Sequence, residues 1–351
     1  MRLENSYGID LGTGMVKIYD QKADHITQES TMIALRNGNQ VFAVGNDAYS
    51  MFEKAPSDVR IIRPVSNGRI NDILMTEAVL HTLLRRNTTY TGSRPTLYFS
   101  VHMDMTEIEK RAYASIAQKG RLRRSRVFLV EKPIADAIAV GVPLHHTKGT
   151  MIINLGAQST ELSVLADERV IINRLVSIGG MQFDQAVREG VLHKNNFLIS
   201  SRTAQRLKFV LTDFRQEPSE GRKVYGLDRS SGLPRDGIVS AHTVTRMVRH
   251  ECLLLADEIR KFIDRIPPQV QASIQRDGII LTGGSARIPG IDQYFRGQLE
   301  YPVRISQYYG MSTIQGIRIL IRRPEMRHWA IDPSRNTVLE NPERPVRGFH
   351  E

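Results

Sequence analysis

Tyr7-Gly8-Ile9-Asp10-Leu11-Gly12-Thr13-Gly14-Met15-Val16-Lys17-Ile18-Tyr19 is the stretch that decides the fold. Its apolar, β-favouring arms flank three small residues, Gly12-Thr13-Gly14, and this pattern predicts a tight β-hairpin. Glycines let the backbone turn sharply and let its N–H groups approach a ligand. Asp10 ends the first arm, where a carboxylate can face a metal ion or its water shell. Such a turn suits a phosphate with Mg²⁺, although a glycine-rich hairpin on its own is more often only a turn.

A second copy of this pattern begins at Met151. An apolar strand ends in Asn154, a turn of small residues follows at 156–159, and another apolar strand runs to Leu165. After each hairpin the chain reads strand, helix, strand, helix, strand, helix. The repeat predicts two α/β lobes of like topology with a cleft between them, in which the two turns grip a triphosphate from both sides.

Bulk composition fits this two-lobed organisation. The chain has 351 residues, of which 41% are hydrophobic and 24% are charged, as in water-soluble globular proteins. Cys252 is the only cysteine, which excludes an intrachain disulfide and a cysteine-based zinc site. No apolar run has the length of a signal peptide or a membrane span, so we expect a cytoplasmic protein.

The net charge of +11 has two interpretations. One is a well-solvated basic surface. The other is attraction to an anionic partner, either a nucleic acid or an acidic membrane face. The densest basic cluster, residues 119–126, contains no aromatic side chain, which argues against a platform for stacking single-stranded nucleic acid. We therefore expect no nucleic-acid partner and a weak electrostatic contact with membranes.

The motifs resemble those of the actin superfamily and, within it, the MreB family of bacterial actin-like proteins, over roughly residues 7 to 321. Segments 8–13 and 154–164 resemble the two phosphate motifs, 127–135 the connecting motif, 178–184 the segment after the second phosphate motif, and 281–286 the adenosine motif. The resemblance implies an α/β, duplicated RNase H-like (actin) fold with two lobes around a nucleotide cleft, which binds ATP or ADP with Mg²⁺.

The resemblance also implies domain boundaries. Lobe I is predicted over 1–145, with a small subdomain at about 30–70, and is completed by about 306–323. Lobe II is predicted over 146–305, with a small subdomain at about 185–240. The polar, proline-rich segment 324–351 is predicted to be a mostly disordered tail, whose Trp329 pins it to a lobe.

Site residues are carried over from the matching motifs. The catalytic positions are Lys132 and Ser159, and the metal positions, acting through water, are Asp10 and Asn154. The predicted nucleotide-binding residues are Gly12, Thr13, Gly14, Gly156, Ala157, Gln158, Ser159, Thr160, Gln205, Lys208, Gly283, Gly284 and Ser285.

Six of these positions depart from the family pattern: Ala157 and Gln158 replace glycines, Ser159 replaces a threonine, and three others change the chemistry of the site. Lys132 stands where the family has the glutamate that helps to position the attacking water, Asn154 replaces an aspartate, and Gln205 replaces a ribose-binding glutamate. A charged lysine does not accept a proton from water, and losing the aspartate weakens the outer shell of the metal. We therefore expect nucleotide binding that is retained or weakened, with Mg²⁺ weakened too, and hydrolysis that is slow or absent. Glu131 is a poor substitute, because adjacent residues of a strand point to opposite faces.

Three classes of function remain open. The first is a cytoskeletal protomer that assembles with itself into filaments and organises cell shape and the cell-wall synthesis machinery at the inner membrane. The second is a non-hydrolysing pseudo-actin that regulates or co-assembles with another MreB-type protein. The third is a sugar or acetate kinase, for which the inserts that build a substrate pocket are missing at this length. The substituted site gives weight to the second class.

Overall fold

The computed structural model describes residues 5–89, 94–218, 220–334 and 337–338, which form two α/β halves. The elements of the first half are β1 Ser6–Leu11, β2 Met15–Asp20, β3 His25–Ser30, β4 Ile33–Arg36, β5 Gln40–Val44, α1 Asn46–Met51, β6 Val59–Ile62, β7 Val65–Ser66, β8 Arg69–Ile70, α2 Ile73–Asn87, β9 Thr96–Val101, α3 Glu107–Ala117, β10 Arg126–Glu131 and α4 Lys132–Ala139.

The second half begins after a short connection. Its elements, and those that follow it, are β11 Thr150–Leu155, β12 Thr160–Ala166, β13 Arg169–Val176, α5 Gly180–Asn195, β14 Phe197–Leu198, α6 Ser201–Leu211, β15 Gly221–Asp228, β16 Pro234–Ser240, α7 Ala241–Ile263, α8 Pro268–Asp277, β17 Ile279–Thr282, α9 Ile291–Leu299, β18 Val303–Ile305, α10 Ser312–Arg322, β19 Ile331–Asp332 and β20 Thr337–Val338.

The two main sheets have the same topology. The first runs in the order β20-β19-β10-β9-β1-β2-β3, and the second in the order β13-β12-β11-β17-β18. In each, a hairpin strand pairs antiparallel with its neighbour and parallel with a later strand, as β1 does with β2 and β9, and β11 with β12 and β17. The two α/β halves of like topology predicted from the two hairpins, and the duplicated fold that the resemblance implies, are confirmed.

Smaller sheets extend each half. Strands β4, β5 and β6 form one three-stranded sheet near α1, and β14, β15 and β16 form another near α6. No helix in the described part of the chain has the length and apolar character needed to cross a membrane. The domain boundaries given above remain predictions.

Two helices, α4 and α10, pack against each other between the main sheets. Their buried side chains share one apolar cluster with residues of both sheets, including Tyr98 of the first sheet and Ile152 of the second. The closest approach is at Gly316, where an added Cβ would lie 1.8 Å from the carbonyl oxygen of Ala135. The two lobes therefore share a continuous core at the base of the cleft.

Substituting Gly316 by alanine is expected to lower the free energy of unfolding by about 3 kcal/mol, because the new methyl group meets backbone that cannot move aside. Urea denaturation measures the effect. The matched control is Gly297→Ala in α9, where an added Cβ meets nothing within 4 Å, so helix propensity should stabilise the protein by up to about 1 kcal/mol. Equal midpoints for the two variants would contradict the close packing of α4 and α10.

The start of the predicted tail is ordered, so the prediction of disorder is wrong there. Residues 324–329 form a 3₁₀-helix, and β19 pairs with β10 through Leu129 and Ile331, which extends the first sheet. Trp329 packs against the cluster shared by α4 and α10, as its predicted role required. This segment is ordered because apolar side chains are interspersed among its charges. Apart from residues 337–338, the rest of the predicted tail lies outside the described residues.

Candidate functional site

The turns of the two hairpins meet at the middle of the molecule. Each is closed by a short backbone hydrogen bond, from Gly12 N to Met15 O at 3.1 Å and from Gly156 N to Ser159 O at 3.0 Å. A Cβ built on Gly14 would lie 3.1 Å from the Cβ of Ala157. The predicted phosphate-binding turns therefore face each other across the cleft.

A third hairpin, β7–β8, bridges these two turns. Ser66 Oγ and Asn67 N donate hydrogen bonds of 3.0 and 2.9 Å to Gln158 Oε1 of the second turn. Gly68 N donates to Thr13 Oγ1 of the first turn at 2.9 Å. The side chains of Thr13 and Gln158, both predicted to touch nucleotide, thus hold this hairpin over the turns.

Asp10 lies among cations at the base of the cleft. Its Oδ2 accepts a hydrogen bond of 2.6 Å from Lys17 Nζ, and its Oδ1 accepts one of 2.6 Å from Ser100 Oγ and lies 3.7 Å from Lys132 Nζ. Burial alone would raise the pKa of Asp10, but Lys17 and Lys132 hold it far below its usual range. Both carboxylate oxygens are therefore taken by protein groups.

Glu161 is the second buried carboxylate of the site. Its Oε2 lies 2.6 Å from His102 Nδ1, and its Oε1 accepts hydrogen bonds from Met103 N and Asn173 Nδ2. Burial opposes ionisation, but His102 and then Lys132 keep the pKa of Glu161 below its ordinary value. Lys132, only 12% exposed at its side chain, therefore acts on both Asp10 and Glu161.

Asn154 points to a carboxylate rather than to the open cleft. Its Nδ2 donates a 2.7 Å hydrogen bond to Oδ2 of Asp136, which is fully buried on α4. Asp136 also accepts hydrogen bonds from Thr282 Oγ1 at 2.6 Å and Thr313 Oγ1 at 2.7 Å. Burial raises the pKa of Asp136 despite these donors. An amide fits position 154 because it gives Asp136 a hydrogen that an aspartate lacks.

These contacts test whether the residues fit Mg²⁺. The ion usually keeps several waters and is held through one or two carboxylates. Here both oxygens of Asp10 have protein partners, two ammonium groups lie beside it, and the amide nitrogen of Asn154 is directed to Asp136. Nor do the described residues contain any group of three or more His, Cys, Asp or Glu that could hold a metal ion. The donor set does not fit Mg²⁺.

The predicted adenosine motif lies behind the second hairpin. Gly283 has φ +90, and an added Cβ would lie 2.4 Å from Leu155 O, so only glycine fits there. A Cβ built on Gly180 would lie 2.5 Å from Ser285 Oγ and 3.2 Å from Lys208 Nζ, which brings α5 and α6 to this motif. Gly284 adjoins it, and an added Cβ there meets nothing within 4 Å.

Lys208 is almost completely buried beside this motif. Its Nζ donates a hydrogen bond of 2.8 Å to Gly180 O and forms an ion pair of 2.7 Å with Asp184 Oδ1. Burial lowers the pKa of Lys208, and Asp184 opposes that shift. The ammonium group thus orders the start of α5. Of the remaining turn residues, Thr160 Oγ1 donates to Ile178 O at 2.7 Å, and Ser159 is buried.

The mouth of the cleft is bridged by contacts between α6 and the segment formed by α1 and the turn that follows it. Glu53 accepts hydrogen bonds from Ser201 N at 2.8 Å and Ser201 Oγ at 2.6 Å. The guanidinium of Arg202 lies 4.9 Å from the centre of the Tyr49 ring, and Tyr49 OH donates to Gln205 Oε1 at 3.4 Å. Gln205, predicted at the ribose, therefore contacts lobe I. We refer to these five residues as the mouth contacts.

The sequence reasoning missed Lys17, His102 and Asp136. For Lys17 the signal was present, because Asp10 and Lys17 are cross-strand partners in the first hairpin, as Asn154 and Glu161 are in the second. Cross-strand partners share a face of the sheet, so a lysine seven residues after Asp10 must lie beside it. His102 and Asp136 reach the site only through tertiary packing.

The fold and this arrangement of two phosphate-type turns around a cleft define an actin-like protein. MreB5 of Spiroplasma citri bound to ADP has a TM-score of 0.84 to this chain, with 24% identity, and the match covers 90% of this chain and 95% of that one. The MamK double helical filament structure has a TM-score of 0.73, with 17% identity, and covers 91% and 98%.

Sequence comparison identifies the family. The model of the MreB/Mbl protein family matches residues 4–328, and the chain belongs to that family. It is 30% identical over 303 residues to the cell shape-determining protein Mbl of Bacillus subtilis, covering 86% of this chain and 90% of Mbl. It is 27% identical over 311 residues to the cell shape-determining protein MreB of Escherichia coli, covering 86% and 89%. The predicted family resemblance is confirmed.

Proposed function

We propose that this chain is a cytoskeletal protein that binds ATP or ADP between its lobes, assembles lengthwise into filaments and contributes to cell shape. The observation that carries the proposal is the meeting of the two hairpin turns above a pair of lysines. Backbone N–H groups of such turns and ammonium groups are the donors that phosphates take. Relatives named cell shape-determining MreB and Mbl, and the filament of MamK, support assembly and the cellular role.

Hydrolysis in this protein is proposed to be slow or absent. Lys132, the first residue of α4, lies where a carboxylate would have to accept a proton from the attacking water. Glu131, the last residue of β10, interacts with Lys110 and Glu161, and its substitution tests whether it replaces the missing base. Nucleotide then serves to set the shape of the cleft rather than to time disassembly.

Partners and location follow from the same proposal. The filament would form from copies of this chain, work beside the cell-wall synthesis machinery at the inner membrane and touch the membrane weakly by charge. Of the loop at 86–93, residues 90–93, which include Tyr90, lie outside the described residues.

Sedimentation of the purified protein with ATP, with ADP and without nucleotide tests this function. We expect pelleting that depends on nucleotide, with filaments visible by negative-stain electron microscopy. Pelleting only after a second MreB-type protein is added would instead support the alternative, a non-hydrolysing pseudo-actin that co-assembles. The substituted catalytic position is the specific observation that favours this second candidate.

A further inference from the structure

We propose that the nucleotide in this protein is held by Lys17 and Lys132 instead of by Mg²⁺, so that its binding does not require a divalent cation. The inference rests on the proposed nucleotide binding and deepens it. It starts from the misfit between the site residues and Mg²⁺ described above.

The positions of the two ammonium groups carry the proposal. Lys17 Nζ and Lys132 Nζ lie 2.6 and 3.7 Å from the two oxygens of one carboxylate, that of Asp10. Their side chains are 13% and 12% exposed, so water screens them poorly. The facing turns at Gly14 and Ala157 place phosphate-type backbone donors at the same cleft. A polyphosphate there would meet two fixed positive charges.

The charged groups around Asp10 favour a phosphate over a metal ion as the ligand of this site. Asp10 and Glu161 bring two negative charges, and Lys17 and Lys132 bring two positive charges, so the cluster balances without a further ion. A divalent cation approaching Asp10 meets two ammonium groups and a carboxylate whose oxygens both have protein partners. Each ammonium group has three N–H donors, so it can donate to a phosphate oxygen while it stays beside Asp10.

The hydrogen bonds of Glu161 and Asn154 also disfavour Mg²⁺. Both oxygens of Glu161 have protein partners, namely His102 on Oε2 and the backbone of Met103 and Asn173 on Oε1. Asn154 uses its amide nitrogen on Asp136. Freeing a carboxylate for metal would break these buried hydrogen bonds and leave their donors unpaired, which is costly in a low dielectric.

The test is isothermal titration calorimetry of the full chain with ADP and with ATP, in excess Mg²⁺ and in excess EDTA. We expect the unmodified protein to bind at least as tightly in EDTA as in Mg²⁺. The two Kd values should differ by no more than about threefold. Lys132→Glu restores a carboxylate, so its binding should become about tenfold or more weaker in EDTA than in Mg²⁺. Lys132→Met removes the cation without adding a ligand, so its binding should weaken under both conditions.

Lys148→Glu is the matched control. It makes the same charge change at an exposed lysine that precedes β11 and forms an ion pair with Asp167. It should bind like the unmodified protein, and thermal melts show whether each variant is folded. Binding by the unmodified protein that falls tenfold or more in EDTA would overturn metal-free binding and leave the proposed function standing. Absence of binding under both conditions would refute the nucleotide-binding function itself. Unchanged binding by Lys132→Met would remove the role of Lys132.

Discussion

Replacing Asn154 by aspartate is expected to lower the free energy of unfolding by about 3 kcal/mol at pH 7. Although aspartate is the usual residue of the family at this position, here its oxygen would face Oδ2 of the buried Asp136, where the amide nitrogen now lies at 2.7 Å. Two carboxylates at that separation do not both ionise in a buried site. One must keep a proton, or the pair must separate and leave Asp136 short of a donor.

This destabilisation depends on pH. Burial already raises the pKa of Asp136, and a second carboxylate raises the pKa of the pair further. For an acid whose folded-state pKa is raised, stability is greatest below the unfolded-state pKa, about 4, and is lost as the pH rises towards the folded-state value. The deficit of Asn154→Asp should therefore be small near pH 4 and largest at neutral pH. Urea midpoints measured across this range report it.

A second substitution identifies the partner. Adding Asp136→Asn to Asn154→Asp exchanges the amide and the carboxylate, and should restore stability to within about 1 kcal/mol of the unmodified protein. Asn39→Asp makes the same chemical change in an exposed turn and should cost less than about 0.5 kcal/mol. A double variant no more stable than the single one would show that Asp136 is not the cause.

The second large effect concerns turnover. Lys132→Glu is expected to raise the rate of ATP hydrolysis in Mg²⁺ by about tenfold or more. A positioned base typically contributes about 10²–10⁴-fold, and the expected gain is smaller because Asn154 still limits the site. The new carboxylate would stand beside Asp10 and Glu161, where the ammonium group of Lys132 now lies. Phosphate release at saturating ATP measures the rate.

Two further variants test the assignment of this base. Glu131→Gln in the Lys132→Glu background should leave most of the gained turnover, because the gain comes from the new carboxylate at position 132 and Glu131 is already present in the unmodified protein. Lys148→Glu should remain at the level of the unmodified protein. Turnover by the unmodified protein at the level of its Lys132→Glu variant would show that the lysine does not limit hydrolysis.

The sequence predicted the duplicated fold well because each hairpin is a local structure. Small turn residues between apolar arms determine β1–β2 and β11–β12, and the repeat of that pattern determines the two sheets. A local signal can also mislead: Thr76 is of a residue type that favours the N-cap of a helix, but α2 begins at Ile73 with Asp72 as its cap. Thr76 instead donates a hydrogen bond to the backbone carbonyl of Asp72.

The site was harder to predict because its charges are paired across long separations in the chain. Asp136 meets Thr282 and Thr313 only because α4 and α10 pack between the sheets. No spacing rule links residues so far apart. Gln205 looked like a ribose ligand from its motif, yet the position of Tyr49 on another lobe determines its contact. The motifs predicted that these residues lie near the cleft, and their partners there depend on packing that the motifs do not describe.

The mouth contacts would affect how long a nucleotide stays bound in the cleft. Glu53, Tyr49, Ser201, Arg202 and Gln205 join the lobes on the side opposite the shared core of α4 and α10. Each hydrogen bond contributes only about 1 kcal/mol, so these contacts by themselves hold the two lobes together weakly. In the proposed filament, neighbouring subunits would restrain both lobes and so slow the release of nucleotide. Subunits at the ends would then exchange nucleotide first, and interior subunits would keep the nucleotide with which they were added.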